Sequence, residues 1–124
     1  MAWKTNQVEN PGYIEVTYSG KVSPEELFKA LENAVLLSRE NKIILFLADL
    51  TEMIGGHSVF DLYGVISIYE TLKFDAKAKE AIIMTSLQDT VDEIKFYETA
   101  YKNWGFNVRI FKQKEEAISW LFSG

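Results

Sequence analysis

An unbroken apolar run over residues 43–48 predicts a buried β-strand, and this run ends at Asp49. Buried parallel strands have continuous apolar runs of this length. A short loop with two glycines follows, and a new helix is predicted to begin at Ser58. In open α/β sheets, ligands bind where the carboxyl ends of strands meet the amino ends of helices. The loop after this strand is therefore the predicted position of a functional site.

Four further strands are predicted from shorter apolar or alternating segments. Residues 13–18 are aromatic and β-branched and predict a strand, and residues 3–8 are a candidate first strand. An Asn-Pro-Gly turn separates the two segments, so they predict a hairpin. Residues 81–84 form a short buried strand, and residues 107–111 form the last strand.

Four helices complete the pattern. The first has a strong start, because Ser23 caps it, Pro24 takes its first position and Glu26 lies three residues after the cap. It runs to about Arg39 and has an apolar inner stripe. The others are predicted over residues 58–72, 89–104 and 114–122. The order β-β-α-β-α-β-α-β-α predicts a single α/β domain over residues 1–124, whose mostly parallel sheet has an antiparallel hairpin at its edge.

Composition removes several classes of function. The 124 residues are 48% hydrophobic, enough for one core, and the net charge of −5 repels phosphate backbones, which argues against nucleic-acid binding. With no cysteine and one histidine, we expect neither a metal nor another cofactor. No apolar segment approaches the ~20 residues that span a bilayer. We expect a cytoplasmic protein, with peripheral membrane association as an alternative.

The chain resembles the SpoIIAA-like family, which has the STAS fold of anti-sigma-factor antagonists. The resemblance lies in SGKVSPEEL at 19–27, LADLT at 47–51, AIIMTS at 81–86 and VRIFKQKEEAISWL at 108–121. It implies a mixed, mostly parallel sheet with an amino-terminal antiparallel hairpin and four helices. The family is similar in fold to CRAL-TRIO lipid-transfer domains. The resemblance implies binding of apolar ligands, membranes or protein partners, without an established enzymatic reaction.

Ser58 is the candidate phosphorylation site. In phosphorylated STAS proteins a serine begins the helix after the central strand, and the register from Asp49 aligns Ser58 with that position. The surrounding pattern differs, because His57 replaces the usual aspartate. The alternative interpretation, which we favour, is that Ser58 caps a helix.

The residues around Ser58 have weaker signals. His57 lacks the partners that zinc or a catalytic triad requires, so a surface or capping role is favoured. Gly55 and Gly56 could hold an anion on backbone N–H groups, but they lack a phosphate-binding motif, so a loop requiring positive φ is the favoured interpretation. Asp49 and Asp61 are interpreted as solvated or helix-dipole-facing acids.

Phe60 and Tyr63 fall on the polar arc of the second predicted helix, opposite its broad apolar arc. Together with Met53 and Ile54 they are candidates for contact with a ligand or partner. Coverage by neighbouring loops is the alternative. A helix that is apolar around most of its circumference also predicts a homodimer or a segment that shifts on the glycine pair.

Two functions follow from these patterns. The first is a non-enzymatic module that senses or carries an apolar small molecule or lipid, or that associates with a membrane or a protein partner. The second is an antagonist-type regulatory module switched by phosphorylation at Ser58.

Overall fold

The structure, a computed structural model, describes residues 3–9, 12–53, 77–83, 99 and 107–123. These residues form a five-stranded sheet in the order β1-β2-β3-β4-β5. The strands are β1 Trp3–Val8, β2 Tyr13–Gly20, β3 Leu45–Met53, β4 Lys79–Ile83 and β5 Asn107–Phe111. The two described helices are α1 Pro24–Asn41 and α2 Lys114–Leu121.

The sheet has the predicted mixed topology. β1 and β2 pair antiparallel, from Trp3 opposite Tyr18 to Val8 opposite Tyr13. β2, β3, β4 and β5 then pair parallel, each with the next strand in the chain. β3 is the central strand, as its apolar sequence predicted, since an apolar run suits a strand covered on both faces.

α1 begins as predicted and ends in a left-handed cap. The Ser23 Oγ accepts a hydrogen bond from the Glu26 backbone N–H at 3.1 Å and lies 3.2 Å from Glu26 Oε1, to which it donates. The helix ends at Asn41, two residues later than predicted, and Lys42 takes φ 56° and ψ 42°. The N–H groups of Lys42 and Ile43 both donate to the Ser38 carbonyl. The last turn of α1 is thereby closed without a glycine.

Replacing Ser23 with alanine should lower the free energy of unfolding by about 1 kcal/mol, because an N-terminal N–H of α1 loses its acceptor. Chemical denaturation measures the change. Ser119→Ala is the matched control, since Ser119 is an exposed serine within α2. Equal stability of the two variants would contradict the capping role.

The two faces of the sheet carry separate core clusters. The α1-side core joins α1 to one face, and its most buried members include Ile14, Ala30, Ala34, Met53 and Val108. The α2-side core joins α2 to the other face and consists of Tyr13, Leu47, Ala81, Ile83, Ala117 and Leu121. The predicted packing of the last helix is confirmed for Ala117 and Leu121, while Ile118 and Trp120 are partly buried against this cluster.

The boundaries of several elements differ from the predictions. β3 begins at Leu45 and continues to Met53, so the expectation that the strand stops before Asp49 is wrong. β2 likewise extends to Gly20, which has a positive φ of 65°. Two of the four predicted helices are present, and those over residues 58–72 and 89–104 lie outside the described residues apart from Thr99, which is helical.

Candidate functional site

The carboxyl end of β3 lies between two parallel neighbours. Thr17 of β2 and Ile83 of β4 flank Asp49 in register. Beyond Asp49 the strand continues for four residues to Met53, paired only with the end of β2 among the described strands. The strand therefore projects past β4 toward the segment that was predicted to hold the site.

A β-bulge interrupts this projecting part of the strand. β2 advances two residues, from Thr17 to Ser19, while β3 advances three, from Asp49 to Glu52, so β3 contains one extra residue. A bulge changes the direction of the side chains that follow it. Leu50 and Met53 are three residues apart, yet both are buried in the α1-side core. In a regular strand, residues three apart face opposite sides of the sheet.

Asp49 stabilises the bulge. Its Oδ1 accepts hydrogen bonds from the Thr51 backbone N–H at 3.0 Å and from the Thr51 hydroxyl at 2.7 Å. A carboxylate that bonds the backbone two residues later is a turn-forming contact, and it supplies the acceptor that the bulged N–H needs. Asp49 is partly exposed, and it holds the local backbone through these two contacts.

Asp49→Ala should destabilise the protein by about 1 kcal/mol, because the Thr51 N–H and hydroxyl lose their shared acceptor. Amide hydrogen exchange at Thr51 should accelerate together with this loss, which NMR measures residue by residue. Glu52→Ala is the matched control, because it removes an exposed carboxylate three residues away. Unchanged exchange at Thr51 in the Asp49 variant would contradict a bulge held by this carboxylate.

An ion pair lies on the same face of the sheet as Asp49. Its acidic member, Glu15, is in register with Leu47, two residues before Asp49 in β3. Lys114 Nζ is 2.8 Å from Glu15 Oε1, and the Glu15 side chain is only 12% exposed. Lys114 is the first residue of α2, so the pair joins the start of that helix to β2. The hydrogen bond to Glu15 raises the pKa of Lys114 above its ordinary value, and the charges of Glu15, Tyr13 and Asp49 act in the same direction.

Three described side chains, Tyr13, Tyr18 and Lys114, have raised pKa values. A catalytic lysine needs a lowered pKa, whereas that of Lys114 is raised. Burial raises the pKa of the Tyr13 hydroxyl, and it raises that of Tyr18 further, with the Glu80 carboxylate adding to the effect. The Lys114 ammonium and both tyrosine hydroxyls therefore keep their protons at neutral pH.

The other candidate residues have different outcomes. Met53 lies in β3 and is 2% exposed in the α1-side core, so its predicted location in the loop is wrong. The remaining candidates lie outside the described residues, and their functions stay predictions: Ile54, Gly55, Gly56, His57, Ser58, Phe60 and Tyr63. Among the described residues, no group of three or more His, Cys, Asp or Glu side chains could hold a metal ion. In that same part of the chain, no helix has the length and apolarity to cross a bilayer.

Sequence reasoning missed the residues that surround Asp49. Glu15 and Lys114 are far apart in the chain, and they meet because the first residue of α2 reaches β2. The sequence contains no signal of this contact, because Glu15 shares its face of β2 with the polar residues Thr17 and Ser19, a pattern typical of a solvent-facing side. Such a carboxylate requires a partner when it is partly buried.

A mostly parallel sheet with a leading antiparallel hairpin and a helix on each face defines an α/β domain related in fold to the anti-sigma-factor antagonists. The family model for SpoIIAA-like proteins matches residues 13–122. The chain therefore belongs to the SpoIIAA-like family.

Solved structures agree with this assignment. An uncharacterised protein from Shewanella loihica with a SpoIIAA-like fold is 22% identical, over 97% of this chain and 92% of that chain, with a TM-score of 0.57. The anti-sigma factor antagonist SpoIIAA in its unphosphorylated form is 13% identical over 97% of each chain, with a TM-score of 0.51. The Bacillus cell fate determinant SpoIIAA in its phosphorylated form is 11% identical over 97% of this chain and 99% of that chain, with a TM-score of 0.50. At these low identities the structural similarity shows a shared fold alone. No curated protein sequence matches the chain.

Proposed function

We propose that the protein is a non-enzymatic binding module that senses or carries an apolar small molecule or lipid. Its site comprises the carboxyl end of β3 and the residues that follow, from Ile54 to Tyr63. The observation that supports this proposal is the bulge, which turns Met53 into the α1-side core. The chain thus enters the candidate segment from a firmly packed residue at the carboxyl edge of a parallel sheet, where ligands of α/β proteins bind.

The chemistry of the described residues agrees with binding in preference to catalysis. Lys114 is protonated and paired with Glu15, and Asp49 is occupied by Thr51. A ligand at this site would meet the aromatic side chains of Phe60 and Tyr63, which suit an apolar molecule, a membrane surface or the apolar surface of a protein partner.

Native mass spectrometry of protein purified from its natural host tests the proposal directly. A co-purified lipid or apolar molecule that dissociates on denaturation is the expected result. Replacing both Phe60 and Tyr63 with serine should abolish the co-purification and leave the fold intact. Leu36→Ser is the matched control, because Leu36 is a 50% exposed apolar residue on α1. Loss of several kcal/mol of stability in the double variant, with ligand retained, would make the two aromatics core residues and contradict this site.

The second candidate function is a regulatory module switched by phosphorylation at Ser58. The fold shared with SpoIIAA, whose structures include phosphorylated and unphosphorylated forms, favours it. A phosphate at a helix amino terminus would be stabilised by the helix dipole. The intact mass of protein from the native host distinguishes the functions, because a phosphate on Ser58 supports the switch and a bound apolar molecule supports the carrier. Unmodified protein without ligand would count against both.

A further inference from the structure

A corner between β5 and α2 carries two half-buried aromatic rings. Arg109 and Phe111 are two residues apart on β5, so their side chains share one face of the sheet, the face that α2 covers. Trp120 of α2 packs against Phe111, with ring centroids 5.6 Å apart and ring planes inclined at 45°. We call Arg109, Phe111 and Trp120 the β5–α2 corner. β5 is the last strand of the described sheet, so the corner lies at the margin of that sheet.

Two cations contact these rings in different ways. Lys79 Nζ lies 5.1 Å from the Trp120 ring, but it also donates to the backbone carbonyls of Trp120 and Ser123, at 3.2 Å and 2.8 Å. The Lys79 ammonium group therefore caps the carboxyl end of α2. The Arg109 Cζ lies 5.7 Å from the Phe111 ring centroid, and the residue is exposed. Within the described residues, no carboxylate pairs with Arg109.

The charge around the corner is opposite in sign to that of the whole protein. The chain has a net charge of −5, yet residues 107–114 contain three cations, Arg109, Lys112 and Lys114, and no acidic residue. Lys114 is neutralised by Glu15, whereas Arg109 and Lys112 are exposed. Glu115 and Glu116 follow in the first turn of α2, so an anion meets a local positive charge on the β5 side of the corner, at Arg109 and Lys112. The ring beneath the Arg109 guanidinium holds it in place and leaves its N–H groups available.

We infer that the β5–α2 corner binds a small ligand consisting of a planar apolar ring with an anionic head group, either a carboxylate or a phosphate. The guanidinium of Arg109 binds the head group through parallel N–H donors, which match both anions. The ring packs against the exposed parts of Phe111 and Trp120 in offset or edge-on geometry. Phe111 lies level with Asp49, two strands away across Ile83, but the corner shares no residue with the proposed site, so the inference does not depend on the proposed function.

The probes are 1-naphthoate and 1-naphthyl phosphate, with uncharged 1-naphthalenemethanol for comparison. Titration of ¹⁵N-labelled protein should shift the Trp120 indole N–H and the backbone amides of β5. Replacing Arg109 with glutamine should weaken binding of both anions about tenfold, the loss expected for a charge-assisted bidentate contact. Lys29→Gln, which removes an exposed cation on α1, is the matched control and should leave the affinities unchanged. The uncharged probe should bind about tenfold more weakly than the anions.

The two anions also distinguish the source of the ligand. Tighter binding of the naphthoate indicates an aromatic carboxylate, and tighter binding of the naphthyl phosphate indicates an organic phosphate. Shifts confined to other parts of the protein, or equal affinities in the Arg109 and Lys29 variants, would overturn the inference. The Phe60/Tyr63 double serine variant should bind the naphthyl anions as the wild type does. A negative result for the proposed apolar site would therefore not affect the test of the β5–α2 corner.

Discussion

Leu47→Ala should lower the free energy of unfolding by about 3 kcal/mol, which is within the range for replacing a buried leucine with alanine and leaving a cavity. Leu47 has no exposed surface, and it occupies the middle of β3, the central strand. Its neighbours in register are Glu15 of β2 and Ala81 of β4, and α2 covers it. Because it is packed by two strands and a helix, local relaxation cannot readily fill the space that the side chain leaves.

Urea denaturation followed by circular dichroism measures this change, and Leu36→Ala is the control. Leu36 is 50% exposed on α1, so its truncation should change stability by less than about 0.5 kcal/mol. A similar loss in the two variants would show that the α2-side core is not closed around Leu47.

The stability of the protein should fall steeply at alkaline pH because of Tyr18. This side chain is 3% exposed in the α1-side core. Burial, reinforced by the Glu80 carboxylate, raises the pKa of its hydroxyl far above the ordinary value of 10.0. Above pH 10.0 the unfolded chain releases this proton and the folded protein retains it. The unfolded state then binds fewer protons, so the free energy of unfolding decreases as pH rises, by up to about 1.4 kcal/mol per pH unit for one group.

The stabilisation from Tyr18 is therefore complete below pH 10.0 and is lost progressively above it. Tyr18→Phe keeps the ring and removes the ionisation. Between about pH 10 and 12 it should therefore reduce the slope of unfolding free energy against pH by the equivalent of nearly one proton. At neutral pH the variant should stay within about 1 kcal/mol of the wild type. Urea melts at several pH values measure both quantities. The raised pKa values of Tyr13 and Lys114 act with the same sign, so some dependence should remain. An unchanged slope in Tyr18→Phe would contradict burial of a protonated hydroxyl.

Local sequence patterns predicted the elements whose causes are local. The cap at Ser23 and the strand Asn107–Phe111 were predicted correctly, because capping chemistry and strand periodicity act within a few residues. The end of β3 was not predicted correctly. Its last residues include Asp49, Thr51 and Glu52, whose polarity is typical of a loop. They are extended because the strand stays paired with β2, from Asp49 opposite Thr17 to Met53 opposite Gly20. That pairing is tertiary, and an apolar run cannot reveal it.

The candidate site was likewise predicted only in its locally determined part. The sequence correctly predicted that a central strand leads toward residues 54–63, because a long apolar run requires burial on both faces. It could not show the extra residue in the strand, since a bulge has no apolar signature and depends on the partner strand. It also gave no sign that Glu80 is buried in β4, because a single carboxylate beside a strand is typical of solvent exposure.

The order of strands in space repeats their order along the chain, and this has a consequence for the route of folding. Each strand can join a partner that has already been synthesised, so no strand must wait for a later one to be inserted between its neighbours. We expect the hairpin of β1 and β2 to provide a growing edge on which β3, β4 and β5 add in turn during translation. Because each addition closes a loop to the neighbouring segment, its entropic cost is smaller than in an interleaved sheet. α2 contacts β3, β4 and β5, so it can dock only after the last strand has been added. Pulse-labelled hydrogen exchange during refolding should therefore protect β2 and β3 before α2.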